Sequence, residues 1–554
     1  MPGPQIEPHL SPERVRLHLG RGEWPVPGPS AALAERATND PARVLYIVGD
    51  ERLTAVDVKE RSDRLAAGLA DLGIAAGDVV SWQLPNWIEG VYLTFALERL
   101  GALSNPILPI FREREVAFIA RQARARMLIV PGVYRGFDHR ELARTVQAEA
   151  PGLERILVAR ADPLAGQGKL EDALAAAPRA LPPSPFGPDD VAWLFYTSGT
   201  TSEPKGVMHT ASTLGAFVRM QGVFANPDHG EHVSILTFPL THLGGIASFA
   251  MGAVIQGSRA VFLEPFDPAA ALDLIEREGV TTAGGPTPIL QAILGCPSFH
   301  PDRVRSVQVS GIGATDVPPE LIRAVAQGFG AFAYRSYGMT ECPMATAGRR
   351  GDPDEKLVRT DGRAAPGVIV RVVDDAGRSV PPDVEGELEL FGPQLCVGYL
   401  DPAQSREAFT ADGFIRTGDL GVMDGDGFVR ITGRKKDIII RKGENLSAKA
   451  IEDELYDHPK VADVAVIGVP DRDTGERVCA CVVLAPGADA LTLGEVREFM
   501  LGRGLMAQKI PEQLEIIEAL PRNATGKVTK FELRRRFRES ARGSAQGSAQ
   551  GAGR

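Results

Sequence analysis

The sequence predicts an α/β protein, and three observations support that prediction. Short apolar runs typical of buried strands alternate with amphipathic helical segments down to about residue 300. Such alternation is typical of largely parallel sheets that are covered by helices. After about residue 365, apolar and polar residues alternate around Asp-Ala-Gly and Gly-Asp-Gly turns, which indicates antiparallel hairpins. The pattern changes again at "GRKKD" (433–437), where we predict a domain boundary.

The individual elements follow from local patterns. Residues 62–73 carry leucines at helical spacing and end in Gly73, a helix stop signal. A strand at 78–86 and a helix at 90–102 follow. The other predicted elements are strands at 126–130 and 155–159, a helix at Ser447–His458, strands in "VADVAVIGV" and "RVCACVVLA", a helix near Thr492–Leu501 and a basic C-terminal helix. The repetitive tail (543–554) cannot bury apolar surface and is predicted to be disordered.

Composition and charge exclude several classes of protein. The 554 residues are 44% hydrophobic and 24% charged, as in a globular protein of more than one domain. The net charge is −10, and the basic run at 533–539 is interpreted as a solvated helix end, so we expect no nucleic-acid partner. No signal core and no apolar stretch of spanning length occur, so we expect no membrane anchor. The five cysteines have no zinc spacing and are expected to be reduced in a cytoplasmic protein.

The stretch "YTSGTTSEPKGVMHT" (196–210) is the first candidate for a functional site. A strand leads into a turn rich in hydroxyls and glycine, where backbone N–H groups and Lys205 can bind an anion. The stretch is not a Walker A loop, because Pro204 stands five positions after Gly199 and Lys205 precedes Gly206. On local chemistry alone, a phosphate-binding loop and an exposed Ser/Thr/Gly connector both remain open.

The same stretch resembles the signature loop of the adenylate-forming superfamily. That superfamily includes acyl-CoA synthetases, luciferases and the adenylation domains of peptide synthetases. Further motifs that resemble the family, in the family's order, are "FPLTHLGG" (238–245), "SYGMTE" (336–341), "RTGDLG" (416–421), "GRKKDIIIRKGENLSAKAIE" (433–452) and "LPRNATGKVTK" (520–530). We therefore identify the chain from its sequence as a member of this superfamily.

The resemblance implies a specific domain organisation. It predicts a large N-terminal domain (1–434) of two covered, mixed or parallel sheets, which includes a small β-barrel-like subdomain at about 365–432. A small, mobile α+β domain at 435–540 would follow, with its hinge at Lys436. Rotation about a hinge of this kind lets one enzyme present two different faces to one site.

The resemblance also implies the binding of ATP and Mg²⁺. Thr340 would donate to the α-phosphate, Glu341 would ligate Mg²⁺, Tyr337 would stack on adenine and Asp419 would bind the ribose hydroxyls. The remaining residues implied in binding ATP or AMP are Thr197, Ser198, Gly199, Thr200, Thr201, Ser202, Lys205, Gly313, Ala314, Thr315, Ser336, Gly338 and Arg434.

The resemblance implies a reaction of two steps, formation of an acyl-AMP and transfer of the acyl group to coenzyme A. Two lysine-bearing segments of the C-terminal domain would serve these steps. Lys527 would bridge the carboxylate and the α-phosphate during acyl-AMP formation. Rotation would then withdraw Lys527 and bring the 441–445 region to the site. There Lys442, Gly443 and Glu444 would contact coenzyme A.

The motif around His242 resembles the family's gate between the acyl pocket and the pantetheine tunnel. The acyl pocket would include His242, Gly244, Gly245, Gly311, Gly313 and Met339. Segments near 238–250, 285–290 and 311–316 would line it, and they are apolar and glycine-rich without a charged anchor for an amino group. This composition weighs against an amino-acid substrate.

The N-terminal third narrows the expected substrate. Residues 83–119 and 130–138 resemble cyclohexanecarboxylate-CoA ligases and their medium-chain relatives. The resemblance implies an acyl-CoA ligase for a cyclic, branched or bulky apolar acid. The alternatives are an acyl-AMP ligase that loads a carrier protein and a specialised ligase that thioesterifies a supplied acyl-AMP, for example of a polycyclic acid. No carrier domain is evident after residue 540, and a partner adenylating enzyme or a homodimer is left open.

Ser202 departs from the family pattern, which has glycine at this position. A side chain there would limit positive φ or crowd the outer phosphates of ATP. Either the loop tolerates a small residue, or acyl-AMP formation is weakened while CoA transfer is unaffected. Both interpretations remain open at this point.

Overall fold

The structure of the chain is a computed structural model that describes residues 6–177, 179, 181–197, 204–222, 224, 231–315, 317–441, 444–471, 474–503, 507–522 and 527–537. For residues 444, 445 and 507 it describes the backbone alone. Internal contacts divide the chain into two compact units. The first unit comprises Met1–Val370 and Leu390–Ile415, and the second comprises Arg371–Glu389 and Arg416–Arg554.

Helices occur throughout the first unit, and many begin at a proline or a capping side chain. They are α1 (Pro12–Gly20), α2 (Pro29–Asn39), α3 (Ala55–Asp71), α4 (Glu89–Leu100), α5 (Glu113–Gln122), α6 (His139–Glu149), α7 (Leu170–Leu174), α8 (Ala211–Gln221), α9 (Gly252–Gln256), α10 (Pro268–Glu278), α11 (Thr287–Leu294), α12 (Pro319–Phe329), α13 (Asp354–Arg359) and α14 (Pro402–Ala408). The predicted stop after 62–73 is confirmed, since α3 ends at Asp71 and Gly73 has φ +92°.

The strands of the first unit are short and mostly buried. They are β1 (Val44–Val48), β2 (Glu51–Thr54), β3 (Val79–Trp82), β4 (Leu103–Pro106), β5 (Ala125–Pro131), β6 (Val133–Tyr134), β7 (Phe137–Asp138), β8 (Arg155–Ala159), β9 (Gly168–Lys169), β10 (Val191–Thr197), β11 (Lys205–Thr210), β12 (Val233–Leu236), β13 (Arg259–Phe262), β14 (Val309–Ile312), β15 (Phe332–Tyr337), β16 (Thr346–Ala347) and β17 (Arg363–Ala364).

Two large sheets form the first unit. One has the order β11-β10-β4-β3-β5-β8-β9, and its strands are parallel except for the β10–β11 hairpin. The other consists of β12-β13-β1-β2 and β14-β15-β16-β17, joined by bridges from Thr282 to Ser234 and Val309. Every residue of β3 is buried, as expected for a parallel strand covered on both faces. The predicted α/β fold class is confirmed.

The second unit has two smaller sheets. Its strands are β18 (Ile369–Val373), β19 (Gly386–Phe391), β20 (Ile415–Met423), β21 (Val429–Arg434), β22 (Ile438–Arg441), β23 (Glu444–Ser447), β24 (Val461–Asp471), β25 (Gly475–Leu484) and β26 (Gln513–Ile516), the first three of which share end residues with the first unit. One sheet has the order β18-β19-β20-β21, and the other has the order β23-β22-β25-β24 with β26 beside β25.

The helices predicted in the second unit are present. These are α15 (Ala448–Tyr456) and α16 (Leu493–Gly502), whose first turns are capped by the side chains of Ser447 and Thr492. Residues 530–537 are also helical. The predicted domain boundary at 433–437 is the expected hinge of the chain. The two units are defined by internal contacts and do not test where a hinge lies. The boundary therefore stays a prediction.

Two further expectations concern cysteine and membranes. All five cysteines are free, and four of them are buried. Among the residues that the structure describes, no helix combines the length and the apolar character needed to span a bilayer. The predicted tail at 543–554 lies outside the described residues.

Candidate active site

The β10–β11 hairpin carries both ends of the phosphate loop. Its register places Thr197 opposite Lys205 and Tyr196 opposite Gly206. A Cβ atom at Gly206 would lie 3.0 Å from the ring of Tyr196 on the paired strand, so the close contact with this ring favours glycine there. Ser198, Gly199, Thr200, Thr201 and Ser202 lie outside the described residues, and their contacts with phosphate stay predictions.

A short extended segment, residues 398–400, pairs with β11 of the hairpin and brings Tyr399 next to it. The backbone N–H of Leu400 donates to the carbonyl of Gly206 at 2.8 Å, and that of Met208 donates to the carbonyl of Gly398 at 2.9 Å. Because of this pairing, Nζ of Lys205 lies 5.2 Å from the centroid of the Tyr399 ring, within cation–π range.

Tyr399 also contacts the predicted magnesium ligand. Its hydroxyl donates to Oε1 of Glu341 at 2.6 Å, and both residues are buried. Burial, reinforced by the neighbouring Glu341 carboxylate, raises the pKa of Tyr399 far above its usual value, so the phenol keeps its proton. One buried tyrosine thus connects Lys205 with Glu341.

The backbone of the "MTE" turn is anchored at two consecutive carbonyls. Nε2 of His209 lies 2.8 Å from the carbonyl oxygen of Thr340, and the N–H of Cys396 donates to the carbonyl of Glu341 at 2.7 Å. The next residue along, Cys342, exchanges backbone hydrogen bonds with Met339 at 3.1 and 3.2 Å. The turn that presents Thr340 and Glu341 is therefore tightly fixed.

The glycines predicted for this region have packing reasons of their own. A Cβ at Gly338 would lie 2.4 Å from the backbone nitrogen of Met344, and one at Gly313 would lie 2.6 Å from the carbonyl oxygen of Ser336. One at Gly311 would lie 2.7 Å from the hydroxyl of Tyr334. Backbone atoms leave no room for a Cβ at Gly313 and Gly338, and the ring of Tyr334 crowds Gly311, so close packing favours glycine at these positions. Ligand contacts of Gly311, Gly313 and Gly338 stay predictions.

The remaining predicted nucleotide residues of the first unit lie at the ends of β14 and β15. Ser336 and Tyr337 end β15 and are partly exposed. Ala314 follows β14 with φ +65°, an uncommon backbone conformation for alanine. Oγ1 of Thr315 accepts a hydrogen bond of 3.1 Å from the N–H of Thr287 and thereby ties this loop to α11.

His242 lies in the turn between β12 and a π-helix at Gly245–Met251. Its Nδ1 accepts a hydrogen bond of 3.3 Å from the N–H of Gly244, which restrains the ring. A Cβ at Gly245 would lie 2.4 Å from the carbonyl oxygen of Leu240, whereas one at Gly244 would make only ordinary contacts. Short π-helical turns often occur next to functional sites.

A small cavity joins His242 to Thr340. Its other lining residues are Pro106, Ile107, Leu108, Phe111, Phe195, Tyr196, Thr241 and Leu243. Within the described part of the chain, the buried hydroxyls of Tyr196 and Thr241 have no hydrogen-bond partner. The cavity is thus apolar with a few hydroxyl groups, as ligand sites commonly are. The sequence did not indicate that Pro106, Ile107, Leu108 and Phe111 would contribute to it.

The other predicted site residues belong to the second unit. Asp419 on β20 pairs in register with Arg434 on β21, and Oδ1 of the buried carboxylate lies 2.6 Å from Nε of Arg434. Lys436 lies in a short 3-10 turn at Lys435–Asp437. Lys527 lies just before the helical residues 530–537.

The predicted coenzyme A contacts fall largely outside the described residues. Lys442 and Gly443 are not described, and Glu444 is described by its backbone alone, where it begins β23 opposite Arg441. Their roles stay predictions.

The chemistry of Glu341 fits a magnesium ion. Mg²⁺ in nucleotide sites is usually held by one or two carboxylates together with substrate phosphates and water. Glu341 supplies one such carboxylate, and Tyr399 occupies only its Oε1 among the contacts described. Among the described residues, no group of three or more His, Cys, Asp or Glu residues could hold a metal by itself. The site therefore fits an ion shared with the nucleotide.

Two residues at this site were missed by sequence reasoning. Tyr399 lies 58 residues from Glu341, and His209 lies 131 residues from Thr340. Neither residue has a local pattern that indicates its partner. His209 stands within the quoted loop motif, but its position there gave no reason to assign it a role.

Comparisons with known proteins identify the family of the chain. The model of the AMP-binding enzyme family matches residues 33–400, and that of the AMP-binding enzyme C-terminal domain matches residues 450–527. A medium-chain fatty-acid–CoA ligase from Escherichia coli K12 is 34% identical over 85% of this chain and 83% of its own length. A 2,3-dihydroxybenzoate-AMP ligase from Bacillus subtilis 168 is 35% identical over 91% of this chain and 92% of its own.

A solved structure extends the agreement to the fold. ATP-bound MatB from Rhodopseudomonas palustris is 28% identical, with a TM-score of 0.83, covering 92% of this chain and 99% of MatB. The chain therefore belongs to the AMP-binding enzyme family, in the adenylate-forming superfamily, and is an ATP-dependent acid–thiol ligase.

Proposed function

We propose that this enzyme joins a carboxylic acid to coenzyme A in two steps. In the first, a carboxylate oxygen attacks the α-phosphorus of ATP, the bond to pyrophosphate breaks, and acyl-AMP forms. In the second, the sulfur of coenzyme A attacks the acyl carbon, AMP leaves with the electrons of the broken C–O bond, and the thiol proton passes to solvent. The thioester and AMP are the products.

The observation that carries this proposal is the fixed "MTE" turn beside the phosphate-loop hairpin. Thr340 and Glu341 are both anchored through their carbonyls, and Tyr399 links Glu341 to Lys205. In the proposed reaction, Thr340 donates to the α-phosphate and Lys205 binds the outer phosphates. Glu341 would hold Mg²⁺, which would offset phosphate charge when bound. Groups already fixed in place need little reorganisation when charge develops.

The second unit would supply the residues that differ between the steps. Asp419 would bind the ribose hydroxyls, with Arg434 beside it. Lys527 would stabilise the negative charge on the α-phosphate during acyl-AMP formation. Rotation about Lys436 would then bring residues 442–444 into contact with the pantetheine arm of coenzyme A. These roles are part of the proposal, as are the cytoplasmic location and any homodimer or partner adenylating enzyme.

The proposed acid is cyclic, branched or bulky, and apolar. The lining of the cavity beside His242 supports the apolar character, because it contains apolar residues, hydroxyls and a histidine but no carboxylate or lysine. Such a lining offers no counter-charge to an amino group. The similarity to a medium-chain fatty-acid–CoA ligase also supports an apolar acid. The cyclic or branched shape rests on the resemblance of residues 83–119 and 130–138 alone.

A second candidate is transfer of the acyl group to a carrier protein. The similarity to a 2,3-dihydroxybenzoate-AMP ligase supports this candidate only in that the named product is an acyl-AMP without coenzyme A. Both candidates share the first step and differ only in the thiol that accepts the acyl group.

The test is an incubation with ATP, Mg²⁺ and a panel of acids, with and without coenzyme A, followed by mass spectrometry. We expect acyl-AMP without coenzyme A and acyl-CoA with it. An acyl-AMP that coenzyme A leaves unconverted would favour the carrier-protein candidate. If acyl-CoA forms only from supplied acyl-AMP, the enzyme lacks the first step.

The role of Ser202 is tested in the same assay. We propose that the loop tolerates serine, so Ser202→Gly should leave pyrophosphate release within about twofold of wild type, since small residues need not clash in such a loop. A large gain in pyrophosphate release without a change in CoA transfer would instead show that serine weakens the first step.

A further inference from the structure

His209 is fully buried near the end of β11, one of the two strands of the phosphate-loop hairpin. Its Nδ1 lies 3.0 Å from Oγ1 of Thr213 on α8, and its Nε2 lies 2.8 Å from the carbonyl oxygen of Thr340. A carbonyl oxygen only accepts hydrogen bonds, so Nε2 carries the ring hydrogen, which leaves Nδ1 as an acceptor. The Thr213 hydroxyl lies within hydrogen-bond distance of both Nδ1 and the carbonyl oxygen of Thr210, at 3.0 and 3.1 Å. The donor to Thr340 is therefore on Nε2, and Nδ1 faces the Thr213 hydroxyl.

The ring is neutral under ordinary conditions. Burial lowers the pKa of His209 to about 4. His209 therefore acts on its neighbours through a directed hydrogen bond and adds no positive charge to the buried side of the hairpin. A rigid ring with a single donor is suited to fixing the orientation of one peptide group.

The peptide that it fixes belongs to Thr340. With the carbonyl of Thr340 tied to His209 and the next carbonyl, that of Glu341, tied to the N–H of Cys396, the peptide planes on both sides of Glu341 are set. The orientation of the backbone determines where the Thr340 side chain can point, and this residue lines the cavity with His242.

We propose that His209 is a positioning residue for acyl-AMP formation. Its Nε2–H holds the carbonyl of Thr340 so that the Thr340 hydroxyl donates to the α-phosphate of ATP. This inference rests on the proposed function, which gives Thr340 that role. His209 acts only through Thr340 and contacts no substrate.

The test is a double-mutant cycle between the two residues. Pyrophosphate exchange would be measured for wild type, His209→Leu, Thr340→Ala and the double variant. His209→Leu should lower kcat roughly 10- to 100-fold, the scale expected for a misplaced catalytic group. In the Thr340→Ala background the same change should cost less than about twofold, because coupled residues are not additive. Fully additive losses would overturn the inference.

Two further variants separate positioning from packing. His209→Gln puts an amide N–H near the position of Nε2 and should restore most of the kcat lost in His209→Leu. His232→Leu removes a half-buried histidine, which contacts Thr282 in the other sheet, and should lower Tm while leaving kcat within about twofold of wild type. Equal kcat losses in the Gln and Leu variants of His209 would contradict positioning through the donor.

The cycle remains informative if His209→Leu does not fold. Thr213→Val then replaces it, because this change frees Nδ1 and leaves the donor to Thr340 in place. It should lower kcat several-fold in wild type and hardly at all in Thr340→Ala. If wild type exchanges no pyrophosphate with any acid, the proposed function fails and this inference fails with it. Exchange in wild type with additive losses refutes the inference alone.

Discussion

The hydroxyl of Tyr399 donates a 2.6 Å hydrogen bond to Oε1 of Glu341, and the two residues are only 4% and 6% exposed. The face of the same tyrosine ring lies beside Nζ of Lys205. A phenol with a raised pKa remains a donor over the whole working pH range, so the orientation of the carboxylate does not depend on pH through this contact.

The first prediction concerns this hydroxyl. Tyr399→Phe keeps a ring beside Lys205 and removes the donor to Glu341. Hydrogen bonds to charged groups contribute about 1.5–3 kcal/mol, so acyl-AMP formation should slow roughly 10- to 100-fold. The Mg²⁺ concentration for half-maximal rate should rise, and transfer from supplied acyl-AMP to coenzyme A should change little. Pyrophosphate release during a Mg²⁺ titration measures both effects.

The matched control for Tyr399→Phe is Tyr134→Phe. Tyr134 also donates to a glutamate, Glu264, from the β6–β7 hairpin, and Glu264 is not among the residues assigned to the nucleotide or to Mg²⁺. If both variants show the same loss of activity and the same Mg²⁺ dependence, the contact with Glu341 has no special role.

The second prediction concerns Lys527. Lys527→Ala should slow acyl-AMP formation about 100- to 1,000-fold, because loss of one charge-stabilising donor costs about 2.7–4 kcal/mol. Thioester formation from supplied acyl-AMP should be spared. Pyrophosphate exchange at the wild-type rate in this variant would refute the assignment. Lys509→Ala, in a short 3-10 turn of the second unit, is a charge-matched control.

The third prediction concerns Lys436 as a hinge. Proline fixes φ near −65° and removes the backbone N–H, so Lys436→Pro should restrict rotation at this point. One half-reaction should be lost at least about tenfold more than the other, as expected if the variant is confined to one of two arrangements. Measuring the two half-reactions separately tests this. Equal losses in both would count against a hinge at Lys436.

The fourth prediction links His209 to the stability of the fold. The ordinary histidine pKa of 6.5 falls to about 4 on burial, so between these values the unfolded chain binds a proton that the folded chain does not. The contribution of His209 to the free energy of unfolding is therefore complete above pH 6.5 and is lost as the pH falls towards 4. The full loss is about 3 kcal/mol.

Urea unfolding of wild type and His209→Gln at pH 7.5 and pH 5 measures this effect. Wild type should lose more stability between the two pH values than the variant, because only wild type carries the titrating ring. The buried His139 and the half-buried His232 also have lowered pKa values and are present in both proteins, so their effect cancels in the comparison. An equal loss in both proteins would contradict the prediction.

Much of the fold follows from patterns that are local in the chain. The helix that ends before Gly73 is specified by leucines at helical spacing and by a glycine that adopts positive φ. The caps at Ser447 and Thr492 act within one turn of their helices. Helical spacing, alternation and capping depend on near neighbours, which is why these elements could be predicted.

The motifs predicted which residue types form the site, but not how they are held. Glu341, Thr340 and Lys205 stand in recognisable motifs. The contacts that fix them come from Tyr399 and His209, which are distant in the chain and belong to no pattern that names their partners. Gly311, Gly313 and Gly338 were predicted to contact ligand, which stays a prediction, and the structure shows that each is also closely packed.

Periodicity and short motifs predicted the α/β class and the superfamily, both of which are confirmed, and proposed the side chains that would bind ATP. The structure adds that Tyr399 donates to Glu341, that neutral His209 donates to the carbonyl of Thr340, and that Pro106, Ile107, Leu108 and Phe111 line the cavity beside His242. Each of these contacts joins segments that are distant in the chain and are brought together by the tertiary fold, so no local pattern in the sequence indicates them.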